Sequence, residues 1–393
     1  MKLAFLSDGL EPGRNGLGDM VRHQVLPLRA RGVECLLVAL NDRAIERVVS
    51  EEASAAHFGA PILRIPRTSG YGATTRLVRE RLRSFAPDWL SLQFVSYGLA
   101  RKGIPLAELL WLPQALGGYK LQIMMHELWV GHGVFHTPKK ALMGALQRPA
   151  IRLLLKGLRP RAVTTSCLYY ADLLREIGIK AGVIPLCGNI KVGDEAGGPW
   201  LDARLRAGGV DLAAHGRGHY WLFGLFGTIL EEWQPDALFA RLAALARAQG
   251  RQAVILSAGA SGRDMEALLA GWRARHPEIL FSALGRLSEV ELSAFFNFLD
   301  FGLTSHPHYT AGKSGAIAAM LEHGLPTITS WGFEVAPRIA PIAGPLGANL
   351  WRADEELEAK LLAPQKRVRT YDGAERMAQA LLETLAAAAP GPA

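Results

Sequence analysis

Three stretches of the chain set chemistry-bearing residues beside glycine. In GKSGAIAAMLEHGLPTI, residues 312–328, the pattern predicts a helix from about Ser314 to His323, closed by Gly324 and stopped before Pro326. A helix start leaves unpaired N–H groups and a partial positive charge, so Lys313 is unfavourable there unless an anion lies between them. Lys313, Ser314, Gly315 and Ala316 are thus a candidate phosphate cradle, and a solvated lysine beside an ordinary serine N-cap is the other reading. In SDGLEPGRNGLGDMVRHQ, residues 7–24, Gly13, Gly16 and Gly18 allow backbone to pass close to a bound group. Asp19 follows near the start of a helix continuing through Val21, Val25 and Leu28, where a plain helix-start acid is one reading. In LQIMMHELWVGHG, residues 121–133, His126 closes an apolar strand and Glu127 follows it. A neutral imidazole there could donate or accept a hydrogen bond, or be merely structural.

These residues need strands and helices to hold them. Short apolar runs alternating with amphipathic stretches predict parallel sheets with crossover helices. Strands are expected at 2–7, 34–40, 62–65, 89–94, 121–126 and 162–165, and again at 220–226, 253–257, 279–283, 301–304 and 326–329. The Gly-rich segment 192–219 breaks the rhythm and places the end of a first domain near Asn189. An Ala- and Leu-rich helix from about Gly373 to Ala389 closes the chain, followed by a PGPA tail expected to be disordered. Loops at the carboxyl ends of such strands bind ligands, and the three stretches above are such loops.

A chain of 393 residues suits two domains. Apolar residues make up 49% and charged ones 20%, as in soluble globular proteins, and no stretch is long and apolar enough to span a membrane. Asp8 interrupts the start before a signal-peptide core could form, which predicts a cytoplasmic protein. Cys35, Cys167 and Cys187 form no CxxC pair and read as buried thiols. His126, His132 and His136, separated by six and four residues in a Gly-rich loop, do not form a helix-face ligand set, so no metal is expected. The net charge of +8 divides into +11 over residues 1–190 and −3 over the rest. Much of the excess lies in KKALMGALQRPAIRLLLKGLRPR, residues 139–161, which reads either as a helix with a solvated basic side or as a face for an anionic membrane or acceptor. No zinc-finger spacing or RNA-binding aromatic signature accompanies the charge, which argues against nucleic acid. Gly13-x-x-Gly16-x-Gly18 reverses the dinucleotide fingerprint, although Asn41-Asp42 after the second strand keeps a nicotinamide enzyme as an alternative.

In order along the chain, NGLGDMVRHQVLPLRARGVE, IMMHELW, VTTSCLYYADLLREIGIKAGVIPLCGNI, WLFGLFGTILEEW and LGRLSEVELSAFFNFLDFGLTSHP resemble the successive landmarks of GT4-like GT-B glycosyltransferases. The resemblance implies an α/β chain of two Rossmann-like, doubly wound domains facing across a cleft. Residues 1–190 would be the acceptor-side domain and 191–372 the nucleotide-sugar domain, with 373–393 a C-terminal helix packing back toward the first domain and a short tail. The implied reaction moves a sugar from a nucleotide-diphosphate donor to an acceptor hydroxyl in bacterial polysaccharide or glycoconjugate synthesis, with retention. Donor contacts would come from Gly16, Leu17, Gly18, Thr228, Arg286, Leu287, Lys313, Ser314, Gly315 and Ala316. Asp19, His126, Glu127 and Lys313 would be the catalytic set. Neither cofactor nor metal is implied. The acceptor could be lipid-linked, with the basic first domain resting peripherally on the inner membrane face.

The chain also departs from this family. Registered on Gly324-Leu325-Pro326, its two usual glutamates, eight positions apart, fall on Ala311 and Ala319. The usual Arg and Lys after the first strand of the nucleotide domain are replaced by Glu231, Glu232 and Trp233. A diphosphate leaving group gathers negative charge as the glycosidic bond breaks, and Lys313 is the best-placed cation left to meet it, with Arg14 or Arg286 next. The departures keep two other readings open: a nucleotide-sugar epimerase on the same fold, and a non-catalytic subunit that binds nucleotide or a partner.

Overall fold

The computed structural model describes residues 1–13, 16–54, 58–135, 137–259, 264–342 and 344–389. Arg14, His136 and the PGPA tail, residues 390–393, lie outside them. The chain divides into two compact units, one made of Met1–Asn189 with Asp372–Ala393 and the other of Ile190–Tyr371.

The first unit holds β1 (Lys2–Ser7), β2 (Glu34–Asp42), β3 (Val49–Glu51), β4 (Ile62–Pro66), β5 (Trp89–Phe94), β6 (Lys120–Met125), β7 (Ala162–Thr165) and β8 (Gly182–Val183). They form one sheet in the order β3-β4-β2-β1-β5-β6-β7-β8, parallel except for β3 against β4. The central strands are buried along almost their whole length, which is why they read as continuous apolar runs. Val21, Val25 and Leu28 of the helix Gly16–Ala30 share a core with Leu3, Phe5 and Leu37 of the sheet. Met377, Ala378, Leu381 and Leu385 of the final helix, Gly373–Ala387, join that same core.

The second unit holds β9 (Tyr220–Phe226), β10 (Gln252–Ala258), β11 (Leu280–Gly285), β12 (Phe301–Leu303), β13 (Thr327–Thr329) and β14 (Leu350–Arg352), in the all-parallel order β11-β10-β9-β12-β13-β14. Alternate residues of β9 face opposite sides of the sheet. Trp221, Phe223 and Leu225 enter a core with Phe239, Trp272 and Phe301, while Tyr220 and Leu222 enter another with Phe295, Ile317 and Met320. The Gly-rich segment 192–219 contains the helix Pro199–Ala207, whose Leu201 and Leu205 are buried in the second of these cores.

The helix expected at 314–323 spans Gly315–Glu322, with Ser314 as its N-cap and Gly324 at φ +66° beyond its end. Every residue from Ile317 to Glu322 is buried, so the helix is enclosed rather than amphipathic. Gly324 is needed for a second reason: a Cβ there would lie 2.9–3.0 Å from the backbone of Val368. All three cysteines are buried thiols. Among the described residues no helix is long and apolar enough to cross a membrane.

Candidate functional site

A doubly wound sheet opens a crevice where its strand order reverses, at the carboxyl ends of the two strands concerned. In the second unit the reversal lies between β9 and β12. The loop after β9 begins with Gly227 at φ +83°, and the loop after β12 passes through His306 into a 3-10 turn at His308–Lys313. Ser305 ties these loops together, its Oγ donating to the Thr228 carbonyl at 3.0 Å and accepting from the Leu230 N–H at 3.0 Å. From the loop after β13, Trp331 Nε1 donates to the Ser305 carbonyl at 2.9 Å. A Cβ built on Gly227 would stand 3.0 Å from the Ala316 methyl, so the loop after β9 lies against the first turn of the helix Gly315–Glu322. Thr228, Lys313, Ser314, Gly315 and Ala316 are thereby gathered at the reversal point.

The chemistry of that edge follows from its donors. Ser314 Oγ accepts from the Ile317 N–H at 3.3 Å and caps the helix. The N–H groups of Gly315 and Ala316 precede it and have no acceptor within the helix. Lys313 is half-buried beside them. Desolvation first, and the Lys313 ammonium second, push His306 down to about 3, so its imidazole is neutral at physiological pH. One cation, one neutral imidazole and the positive end of a helix make this edge suited to an anionic group. Ser305 and His306 were not singled out from sequence. The readable signal was Thr-Ser-His placed directly after the apolar β12.

Arg286 and Leu287 follow β11, which is two strands from β9 and hence roughly 10 Å away at the usual strand spacing. Arg286 is exposed and Leu287 packs against the core. Ala311 and Ala319 are fully buried among apolar side chains. Glu231 and Glu232 are exposed, whereas Trp233 is buried with Nε1 donating to Ser330 Oγ at 2.8 Å.

In the first unit the order reverses between β1 and β5. Gly16, Leu17 and Gly18 form the opening turn of a helix rather than a loop. A Cβ on Gly18 would lie 2.8 Å from the Gly9 carbonyl oxygen and 3.0 Å from Leu10 Cα, so the close approach that demands glycine there is the protein's own. Both carboxylate oxygens of Asp19 accept from the Gly13 N–H at 3.1 Å, which folds the loop back onto the helix start. Arg64 donates to Asp42 at 2.7 Å and to Glu11 at 2.6 Å. Burial works against the Asp42 carboxylate, but Arg64 and the N–H groups of Ala44 and Leu10 outweigh it and hold the group below its ordinary range. Asp42, the residue that suggested a nicotinamide enzyme, is thus committed to an internal ion pair.

His126 directly follows β6, its Nε2 2.8 Å from Gln93 Oε1, and burial pushes its imidazole down to about 3. Glu127 beside it is exposed. His132 packs against Tyr169 and Tyr170. Among the described residues no three His, Cys, Asp or Glu side chains are grouped to hold a metal.

No protein-family model matches the chain, and no curated protein sequence does. Solved structures do resemble it over nearly its whole length. The catalytic domain of starch synthase IV from Arabidopsis thaliana, bound to ADP and acarbose, is 14% identical with a TM-score of 0.56 over 98% of this chain and 99% of that one. Anabaena HepE in complex with UDP-glucose is 13% identical with a TM-score of 0.56 over 98% of this chain and 100% of that one. A glycosyltransferase from Rickettsia africae is 13% identical with a TM-score of 0.52 over 98% and 93%. At such identity the likeness establishes the fold, an α/β chain with the two parallel-sheet domains of the GT-B architecture.

Proposed function

We propose that this chain transfers a sugar from a nucleotide-diphosphate donor to an acceptor hydroxyl. The observation that carries the reading is Lys313 beside the open N–H groups of Gly315 and Ala316 at the strand-order reversal of the second sheet. Similar structures hold UDP-glucose or ADP, which fits an anion at such an edge. In the proposed step the acceptor oxygen bonds to the anomeric carbon as its bond to the diphosphate oxygen breaks. Charge growing on the leaving group meets Lys313 and the helix start. The acceptor enters on the face from which the diphosphate leaves, which gives retention, and its proton passes to an oxygen of the departing diphosphate, so the step requires neither a protein nucleophile nor a metal. Asp19 orients the acceptor hydroxyl and His126 holds a saccharide hydroxyl, while Glu127, with Asp19 and His126, is a candidate base should the transfer invert instead. Thr228 backs the diphosphate, and Arg286 and Leu287 flank the base.

The acceptor side of the reading rests on the helix Pro138–Leu158. Leu142, Leu146 and Leu153 are 68%, 52% and 54% exposed along one line of it, next to a row formed by Arg148, Arg152 and Lys156. Bare leucines beside bases suit an anionic bilayer and hence a lipid-linked acceptor of polysaccharide or glycoconjugate synthesis. The test is a panel of nucleotide sugars, first by stabilisation, about 2.7 kcal/mol at 100 times the dissociation constant, then by product analysis. Free nucleoside diphosphate with a new glycoside is the expected outcome. A changed sugar still bearing its nucleotide would mean an epimerase, and stabilisation without turnover a binding subunit.

A further inference from the structure

A chain of hydrogen bonds crosses the interior of the first sheet and ends at His126. Gln122 Nε2 donates to Thr164 Oγ1 at 2.7 Å, Ser91 Oγ to Gln122 Oε1 at 2.6 Å, and Gln93 Nε2 to Ser91 Oγ at 2.7 Å. Gln93 Oε1 then faces His126 Nε2 at 2.8 Å. These groups come from three neighbouring strands, β5, β6 and β7, and the end of β6, and His126 is the most exposed of them at only 9%. The interior of a parallel sheet is ordinarily apolar, and a buried polar chain is costly unless every member is satisfied.

Amides and hydroxyls can be turned round, so such a chain has two self-consistent directions, with all its hydrogens running away from His126 or all toward it. Its far end decides between them. Thr164 Oγ1 lies 3.1 Å from Met124 Sδ, and a thioether can only accept. The Thr164 hydroxyl has one hydrogen. With that hydrogen on sulfur, its oxygen must accept from Gln122, Gln122 must accept from Ser91, and Ser91 must accept from Gln93. Gln93 Oε1 is left to accept from the histidine.

We propose that Gln93 is a positioning residue, which with Ser91, Gln122, Thr164 and Met124 holds His126 as its Nε2–H tautomer, so that Nδ1 is a bare acceptor for a ligand hydroxyl. His126 in this state accepts a hydrogen bond and gives none through Nδ1, so a hydroxyl suits it and a phosphate or carbonyl oxygen does not. The depressed basicity of the buried ring agrees with an acceptor rather than a base. The tautomer lock stands independently of the proposed transferase activity; only the assignment of the hydroxyl to a saccharide rests on that reading.

The test is long-range proton–nitrogen NMR on the full chain with labelled histidine, in which protonated and bare ring nitrogens resonate far apart. Of the 11 histidines, His126 is identified by the signal lost in His126→Gln. The wild type should show Nε2–H and bare Nδ1. Gln93→Glu should keep that pattern, since a carboxylate still accepts, whereas Gln93→Leu and Thr164→Val should each give mixed tautomers. Wild-type Nδ1–H, a wild-type mixture, or a Gln93→Leu protein indistinguishable from wild type would overturn the lock. UDP-glucose should then move the Nδ1 resonance where UDP does not. UDP-glucose that binds without moving Nδ1 overturns the hydroxyl contact; if UDP-glucose does not bind, the same comparison is made with whichever sugar of the panel does, and a panel of which none binds counts against the donor reading while the tautomer pattern still decides the lock.

Discussion

Gly227 and Ala316 meet where the strand order of the second sheet reverses, the glycine at φ +83° and its missing Cβ only 3.0 Å from the alanine methyl. Two separate constraints therefore forbid a side chain at 227. Gly227→Ala should lose about 1 to 3 kcal/mol of stability, part from the left-handed backbone and part from the contact. Ala316→Gly in the same chain should recover the contact part alone, so the two substitutions should couple in a double-mutant cycle read by urea denaturation. Strict additivity would mean that the loop does not rest on the helix.

Lys313→Ala separates binding from folding. The residue precedes a helix whose buried side chains do not include it, so truncation leaves no core cavity and should change stability by about 1 kcal/mol or less. If its ammonium meets charge developing on the diphosphate, turnover should fall roughly a hundredfold to a thousandfold, the loss seen when one oxyanion donor is removed. Lys313→Arg should restore only part, because a planar fork does not replace a point charge beside a tight turn. Near-normal turnover in Lys313→Ala would move the phosphate contact elsewhere.

The long strands were legible because burial on both faces turns them into apolar runs: 2–7, 89–94 and 220–226 have the same limits in sequence and structure. Val49–Glu51, Gly182–Val183 and Leu350–Arg352 were not, since they are two or three residues long at the sheet margins, whereas the equally short Phe301–Leu303 and Thr327–Thr329 lie inside the sheet and are buried throughout. At the candidate site, Lys313 to Ala316 could be read from local rules for starting and stopping a helix. Asp42 could not, because Arg64, the partner that occupies it, lies 22 residues away. Gln93 was invisible for a related reason. Its significance lies in the β5–β6 register, which sets it beside the end of β6, and no pattern within either strand encodes that pairing.

Acid should weaken the fold through His126. Its folded-state value of about 3 lies below the ordinary 6.5, so between them the unfolded chain takes up a proton that the folded chain refuses. This contribution is complete above about 6.5 and is lost as the pH falls from there toward 3. Between pH 7 and pH 5 it amounts to something on the order of 2 kcal/mol. The drop in unfolding free energy over that interval should be smaller in His126→Gln by this amount, whatever the variant's absolute stability. An equal drop in both proteins would show that the ring protonates as freely folded as unfolded. His306, also held near 3, should behave in the same way.

The helix Pro138–Leu158 buries Ala150, Ile151, Leu154 and Leu155 on its inner side, so its outer leucines are surplus to the core. Leu142, Leu146 and Leu153 stand on that outer side, next to Arg148, Arg152 and Lys156. Solvent gives no reason to line up leucines beside bases, whereas an anionic bilayer rewards both: each base near its surface contributes about 1 kcal/mol, and the leucines bury apolar area among the acyl chains. The protein should float with anionic vesicles and stay behind with neutral ones, less so as salt is raised. Arg152→Glu with Lys156→Glu should abolish flotation by reversing two charges. Leu146→Ser with Leu153→Ser should weaken it while leaving its salt dependence in place, because only the apolar part is removed. Equal recovery with both vesicle types, or none with either, would assign this face to a soluble partner and remove the argument for a lipid-linked acceptor.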